Sequence, residues 1–188
     1  MNLKNKDQRV AVFIDVQNLY HSAKNLYQAR VNFKEILKSA VEGRKLIREF
    51  DYVVRTKTGE ERPFFDALIN LGIETRVKDL QEYYGGLKKA DWDVGIAVDA
   101  IKTSDSVDVI VLISGDGDYV PLVDYLENHG KRVEVLAFGK STSTKLREAA
   151  DEFIDLGENE DKYILRKGSR ISLRIPGLGG KEQKDGKK

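Results

Sequence analysis

The segment Ser114-Gly115-Asp116-Gly117-Asp118 closes the most apolar run of the chain, and a single carboxylate, Asp15, closes the first such run. A third position, Asp93, falls in the first turn of a helix read over 91–103, which leads into the apolar run at 107–114. If the two runs are neighbouring strands, Asp15, Asp93, Asp116 and Asp118 converge at one end of a sheet. Like charges held that close repel unless a cation or protons offset them. A set of hard oxygen ligands, in a chain with no cysteine and two histidines, suits Mg²⁺ or Mn²⁺. The Ser114 hydroxyl can add a weak ligand or a hydrogen bond. The two glycines between the acids allow a sharp turn and a close approach to a ligand.

Each acid also has an ordinary structural use. Asp118 can cap a helix read over 119–128, and Asp93 suits the positive end of its helix dipole. Asn18 can cap a helix or point its amide into the cleft. Asp99 lies roughly 240° round the helix from Asp93, where pairing with Lys or Arg in support of the site is the alternative to facing the cleft. Lys88 and Lys89 can touch phosphates, and Trp92, with Tyr83 and Tyr84, can stack on unpaired bases. A solvated loop and core packing are the plainer readings of those residues.

Rival chemistries lack their residues. No phosphate loop of the Gly-x-x-x-x-Gly-Lys type is present. The acids around Gly115 and Gly117 would repel a pyrophosphate. There is no Gly-x-Ser-x-Gly elbow, and Gln17 stands where an aspartyl phosphatase needs its second Asp. The absence of cysteine excludes disulfides, thiolate zinc and a cysteine nucleophile.

Strands and helices alternate along the chain. Strands are read at 9–15, 46–55, 73–78, 107–114, 131–138 and 153–156. Helices are read at 18–28, 33–41, 64–70, 91–103, 119–128 and 143–150. Such alternation predicts an α/β three-layer sandwich with a mainly parallel sheet, whose ligands sit beyond the C-terminal strand ends. The 188 residues, 40% hydrophobic and 34% charged, suit one domain. Residues 1–8 read as a polar lead, 9–160 as the domain, and 161–188 as a basic, flexible tail with one short alternating stretch at 171–175. With no signal-peptide pattern and no run long enough to span a bilayer, the expected location is the cytoplasm, away from membranes.

Three motifs then carry a resemblance: Phe13-Ile-Asp15-Val-Gln-Asn18-Leu-Tyr20, Lys89-Ala-Asp-Trp-Asp93-Val-Gly-Ile-Ala-Val-Asp99, and Leu112-Ile-Ser-Gly-Asp116-Gly-Asp118-Tyr-Val-Pro121-Leu122. Together with Gly130-Lys-Arg-Val133 and the stretch from Leu146 to Ile154, they resemble the NYN domain family. The likeness is to its LabA-like branch within the PIN-like nucleases. That resemblance implies strand order 3-2-1-4-5 and a metal-dependent nuclease, with RNA as its expected partner. DNA binding and self-association stay open. It puts Asp15, Asp93, Asp116 and Asp118 at the acidic positions, with Asn18 and Asp99 supporting. Gly117 departs from the Ser or other small residue often found there. The alternative is a regulator that keeps the fold, binds RNA or a protein partner, and has lost turnover.

Overall fold

The first strand shows why the fold is layered. In a computed structural model describing residues 4–55, 74–82 and 88–166, every residue from Val10 to Asp15 is buried. Successive strand side chains point to opposite faces, and both faces here are apolar. Val10, Val12 and Ile14 enter one core, while Ala11 and Phe13 enter the other. A strand with no polar face must lie inside a sheet covered on both sides.

In chain order the elements are β1 (Arg9–Asp15), α1 (Val16–Tyr27), β2 (Arg30–Val31), α2 (Phe33–Val41), β3 (Lys45–Arg55), β4 (Glu74–Asp79), β5 (Gln81–Glu82) and β6 (Lys88–Lys89). There follow α3 (Asp93–Ser104), β7 (Val109–Ile113), α4 (Val120–Asn128), β8 (Arg132–Ala137), α5 (Thr144–Ala149), β9 (Glu152–Asp155), α6 (Glu160–Tyr163) and β10 (Ile164–Leu165). The main sheet has six strands in the order β4-β3-β1-β7-β8-β9, and every pair is parallel. The expected five-strand order is present, and β9 extends it by one strand at the edge.

Helices α1 and α2 cover one face through Leu19, Ala23, Phe33, Ile36 and Ala40. Helices α3, α4 and α5 cover the other through Ile96, Ala100, Leu122, Val123, Leu126 and Leu146. Burying each large aliphatic side chain of this kind stabilises the fold by about 1.5–3 kcal/mol. The helix ends follow local chemistry. The Asn32 side chain accepts the Glu35 N–H to start α2, which ends with Glu42 at φ 49° and Gly43 at φ 74°.

Most boundaries shift by a residue or two from the sequence reading, and three of the shifts bear on the site. Helix α1 starts at Val16, because the Asp15 carboxylate caps it. Helix α3 starts at Asp93, because Trp92 takes the cap position and anchors to β3. Before α4, Gly117–Tyr119 form a 3-10 turn. Residues 160–165 fold back on the domain. Strand β10 pairs antiparallel with β2, and Tyr163 and Ile164 are each 6% exposed within the α1–α2 core. The helix expected at 64–70, Tyr83 and Tyr84, and residues 167–188 lie outside the described residues. Among the described residues no helix is long and apolar enough to cross a membrane.

Candidate metal centre

Strands β1 and β7 are adjacent and parallel, with Ile14 opposite Ile113. Their next residues, Asp15 and Ser114, therefore emerge side by side at the C-terminal end of the sheet. The Ser114 hydroxyl, fully buried, donates to Asp15 Oδ2 at 3.2 Å and accepts the Asp116 N–H at 3.3 Å. Asp15 Oδ1 accepts the Asn18 N–H at 3.0 Å. Asn18 then turns its own Oδ1 to the Gly115 N–H, also at 3.0 Å. Asn18 thus lies in the first turn of α1 and ties that helix to the Ser114–Asp118 loop through its amide.

That loop is shaped by its own acids. Asp116 Oδ1 accepts the Asp118 N–H at 3.0 Å and so caps the 3-10 turn. Asp93, the first residue of α3, arrives from the other side of the loop. One carboxylate oxygen from each of Asp93, Asp116 and Asp118 lies within 4.8 Å of the others. Asp15 stays outside that group. Asn18 and Ser114 already engage its two oxygens, and it is only 9% exposed.

Tyr119 joins the two levels. Its hydroxyl donates to Asp93 Oδ1 at 3.1 Å and lies 3.4 Å from Asp15 Oδ2. Burial, then the charges of Asp15 and Asp93, hold the phenol far above its ordinary pKa, so it stays a donor. Burial pushes Asp15 up to about 6, and the nearby Asp93 and Asp116 charges add to the rise. Asp93 is raised in the same direction, by burial first. No ion pair to Asp93, Asp116 or Asp118 occurs among the described residues. An all-oxygen set of acids without a counter-ion fits a hard divalent cation.

The other expected residues fall elsewhere. Asp99 accepts the Tyr52 hydroxyl at 2.9 Å and faces Arg76 Nε at 3.7 Å, apart from the three acids. Trp92 is half-buried and anchored to β3. Its Nε1–H donates to the Val53 carbonyl at 2.9 Å, and its ring meets Tyr52 edge-on at 5.3 Å. A Cβ on Gly95 would come within 2.6 Å of this indole, so the glycine makes room for it. Lys88 and Lys89 form β6, which pairs antiparallel with β5.

Sequence reasoning missed Tyr119, read only as the start of a helix, although its place directly after Asp118 is a usable signal. For Gly115 and Gly117 it gave a turn and an approach to a ligand, and not the room they leave for a neighbouring segment. A Cβ on Gly115 would lie 2.9 Å from Thr142 Oγ1, and one on Gly117 would lie 2.8 Å from Ser143 Oγ. These glycines let the segment after β8 press on the acidic loop.

An α/β sandwich with acids gathered at the ends of its central parallel strands defines the class to which this protein belongs. The sequence matches the NYN domain model over residues 9–157, and the chain belongs to that family. It is 27% identical over 180 residues to the low amplitude and bright protein LabA of Synechococcus elongatus, covering 88% of this chain and 91% of that one. That similarity places it in the LabA-like branch of the PIN-like group. An uncharacterized protein of Methanocaldococcus jannaschii is 26% identical over 157 residues, 81% of this chain and 57% of its own. A crystal structure of a protein of unknown function from Vibrio parahaemolyticus superposes with a TM-score of 0.76 at 29% identity, covering 86% of this chain and 99% of that one.

Proposed function

We propose that this protein is a divalent-metal-dependent nuclease that hydrolyses phosphodiester bonds in RNA. The observation that carries the reading is the gathering of Asp93, Asp116 and Asp118 within 4.8 Å, with no paired cation among the described residues. A protein that only binds polyanions gains nothing from unpaired acids facing phosphate. The family supplies the nuclease context.

On this reading Asp93, Asp116 and Asp118 hold Mg²⁺ or Mn²⁺. The bound ion supplies positive charge to the scissile phosphate and acidifies a water to serve as nucleophile. Tyr119 fixes the Asp93 carboxylate. Asp15 works from behind as the shared acceptor that keeps Ser114 and the first turn of α1 in register. Asn18 holds the Gly115 backbone, so that Asp116 and Asp118 keep their spacing. No side-chain nucleophile is required, which fits a site without cysteine or a histidine dyad.

The test is incubation of labelled single-stranded RNA and DNA with Mg²⁺, Mn²⁺ or EDTA. RNA is expected to be cut with metal and left intact in EDTA. Asp116→Asn should lower cleavage by orders of magnitude and abolish the rise in melting temperature that Mn²⁺ gives the native state by mass action. Wild-type protein that binds RNA but never cuts it, in either metal, would make it a binding regulator instead.

A further inference from the structure

The segment that follows β8 is tied to β9, to α1 and to the acidic loop. The Gly139 N–H donates to Asp155 Oδ1 at 2.8 Å. The Ser141 hydroxyl donates to Ser22 on α1 at 2.9 Å, and Thr142 Oγ1 donates to the Phe138 carbonyl at 2.8 Å. The Ser143 N–H donates to the Gly115 carbonyl at 3.0 Å. A Cβ on either Gly115 or Gly117, which bracket Asp116, would meet this segment within 3.0 Å. The segment therefore lies directly against the loop that carries Asp116 and Asp118.

Its polar groups are only partly used. Ser143 occupies the cap position of α5, yet its hydroxyl makes no capping bond. That hydroxyl lies 2.8 Å from where a Gly117 Cβ would be, directly beside the acidic loop. Lys140 and Lys145 flank it, both exposed, and neither makes an ion pair among the described residues. By contrast, Arg48 and Arg76 near β4 are paired with Glu74, and the Lys78 ammonium lies over Trp92 while donating to the Asp91 carbonyl. An acidic centre repels the polyanion it acts on, so affinity has to come from cations beside it.

We infer that the 139–145 segment is the wall on which single-stranded RNA lays its backbone, with the Ser143 hydroxyl and the Lys140 and Lys145 ammonium groups contacting phosphates next to the carboxylates. This rests on the nuclease reading and names where its substrate runs. The contacts are to phosphate, so they position the strand and are indifferent to its sequence.

The double substitution Lys140→Gln with Lys145→Gln tests it, because both side chains are exposed and the wall is held by other groups. Binding of a labelled single-stranded RNA is measured against salt in the full chain. Two lost phosphate contacts should reduce the slope of log affinity against log salt by about 1.4, with affinity down about tenfold at low salt. The Mn²⁺-induced rise in melting temperature should be retained. Ser143→Ala should weaken binding about threefold, the size of a modest hydrogen bond, without changing the slope. An unchanged slope in the double variant overturns the wall. A wild type that binds RNA without cutting it, while the double variant loses slope, sinks the nuclease reading and supports the wall.

Discussion

Tyr119 has one proton and two carboxylates in reach. The shorter contact, 3.1 Å to Asp93 against 3.4 Å to Asp15, decides where that proton goes. A donor fixed on a metal-binding carboxylate orients it and favours its charged form. Tyr119→Phe should therefore leave the fold in place and weaken Mn²⁺ affinity about 10- to 100-fold. A titration of melting temperature with Mn²⁺ reads this directly, and an unchanged curve would show that Asp93 needs no such partner. At this scale Asp116 and Asp118 were legible because they follow an apolar run that marks a strand end, and Asp93 because it opens the helix that leads into that strand. Asp15 was read as a metal ligand at the strand end; its depth, which depends on the pairing of β1 with β7, was not legible. Tyr119 was marked only by its place after Asp118, and Ser143 not at all, since their roles exist only once α3 and the segment after β8 meet the same loop.

Strand β3 carries an anomaly that its alternation makes plain. Glu49, Asp51 and Val53 share one face, opposite Phe50 and Tyr52. Asp51 is fully buried, and neither of its carboxylate oxygens has a hydrogen-bond partner. Burial, with the Glu49 charge adding to it, pushes Asp51 up to about 8, and burial alone pushes Glu49 up to about 7. Both groups then hold protons in the folded state that the unfolded chain gives up near its ordinary 3.8 and 4.5. Their contribution is fully present below those values and is lost as pH rises through about 7 to 8. Asp51→Asn, which keeps the size and removes the charge, should match wild type near pH 4 and exceed it in melting temperature at pH 8.5. Parallel melting curves for the two proteins across that range would refute the buried acid. Periodicity located β3 through its apolar half, and it located β7 because all five of its residues are buried. It passed over β2 and β10, for two-residue strands carry no period.

Across the whole molecule the charges are segregated. The clustered acids Asp93, Asp116 and Asp118 lie at the C-terminal end of the sheet. Toward the N-terminal ends, Arg44 and Glu134 form an ion pair with side chains 1% and 0% exposed, joined by two hydrogen bonds of 2.8 Å. Burial alone would raise the Glu134 carboxyl, but Arg44, Arg132 and Lys4 bring it below its ordinary value. Arg44→Met removes both of the 2.8 Å donors and the one fully buried cation from that carboxylate, leaving Arg132 and Lys4, and should cost about 3 kcal/mol in chemical denaturation, with the Mn²⁺ response of the folded fraction intact. A loss under 1 kcal/mol, about the value of an exposed pair, would contradict the burial. Fold class and layering could be read from alternation alone, whereas this pair could not, because Arg44 and Glu134 are 90 residues apart. The same separation governs how the centre comes into being. Ser114 reaches Asp15 across 99 residues of chain. During synthesis β1 emerges first, yet its neighbour β7 follows only after α3, so a strand apolar on both faces waits with one edge open. Such a strand invites pairing with another chain. The residues that make β1 the middle of the finished sheet also make it the segment most in need of protection while the molecule is being made.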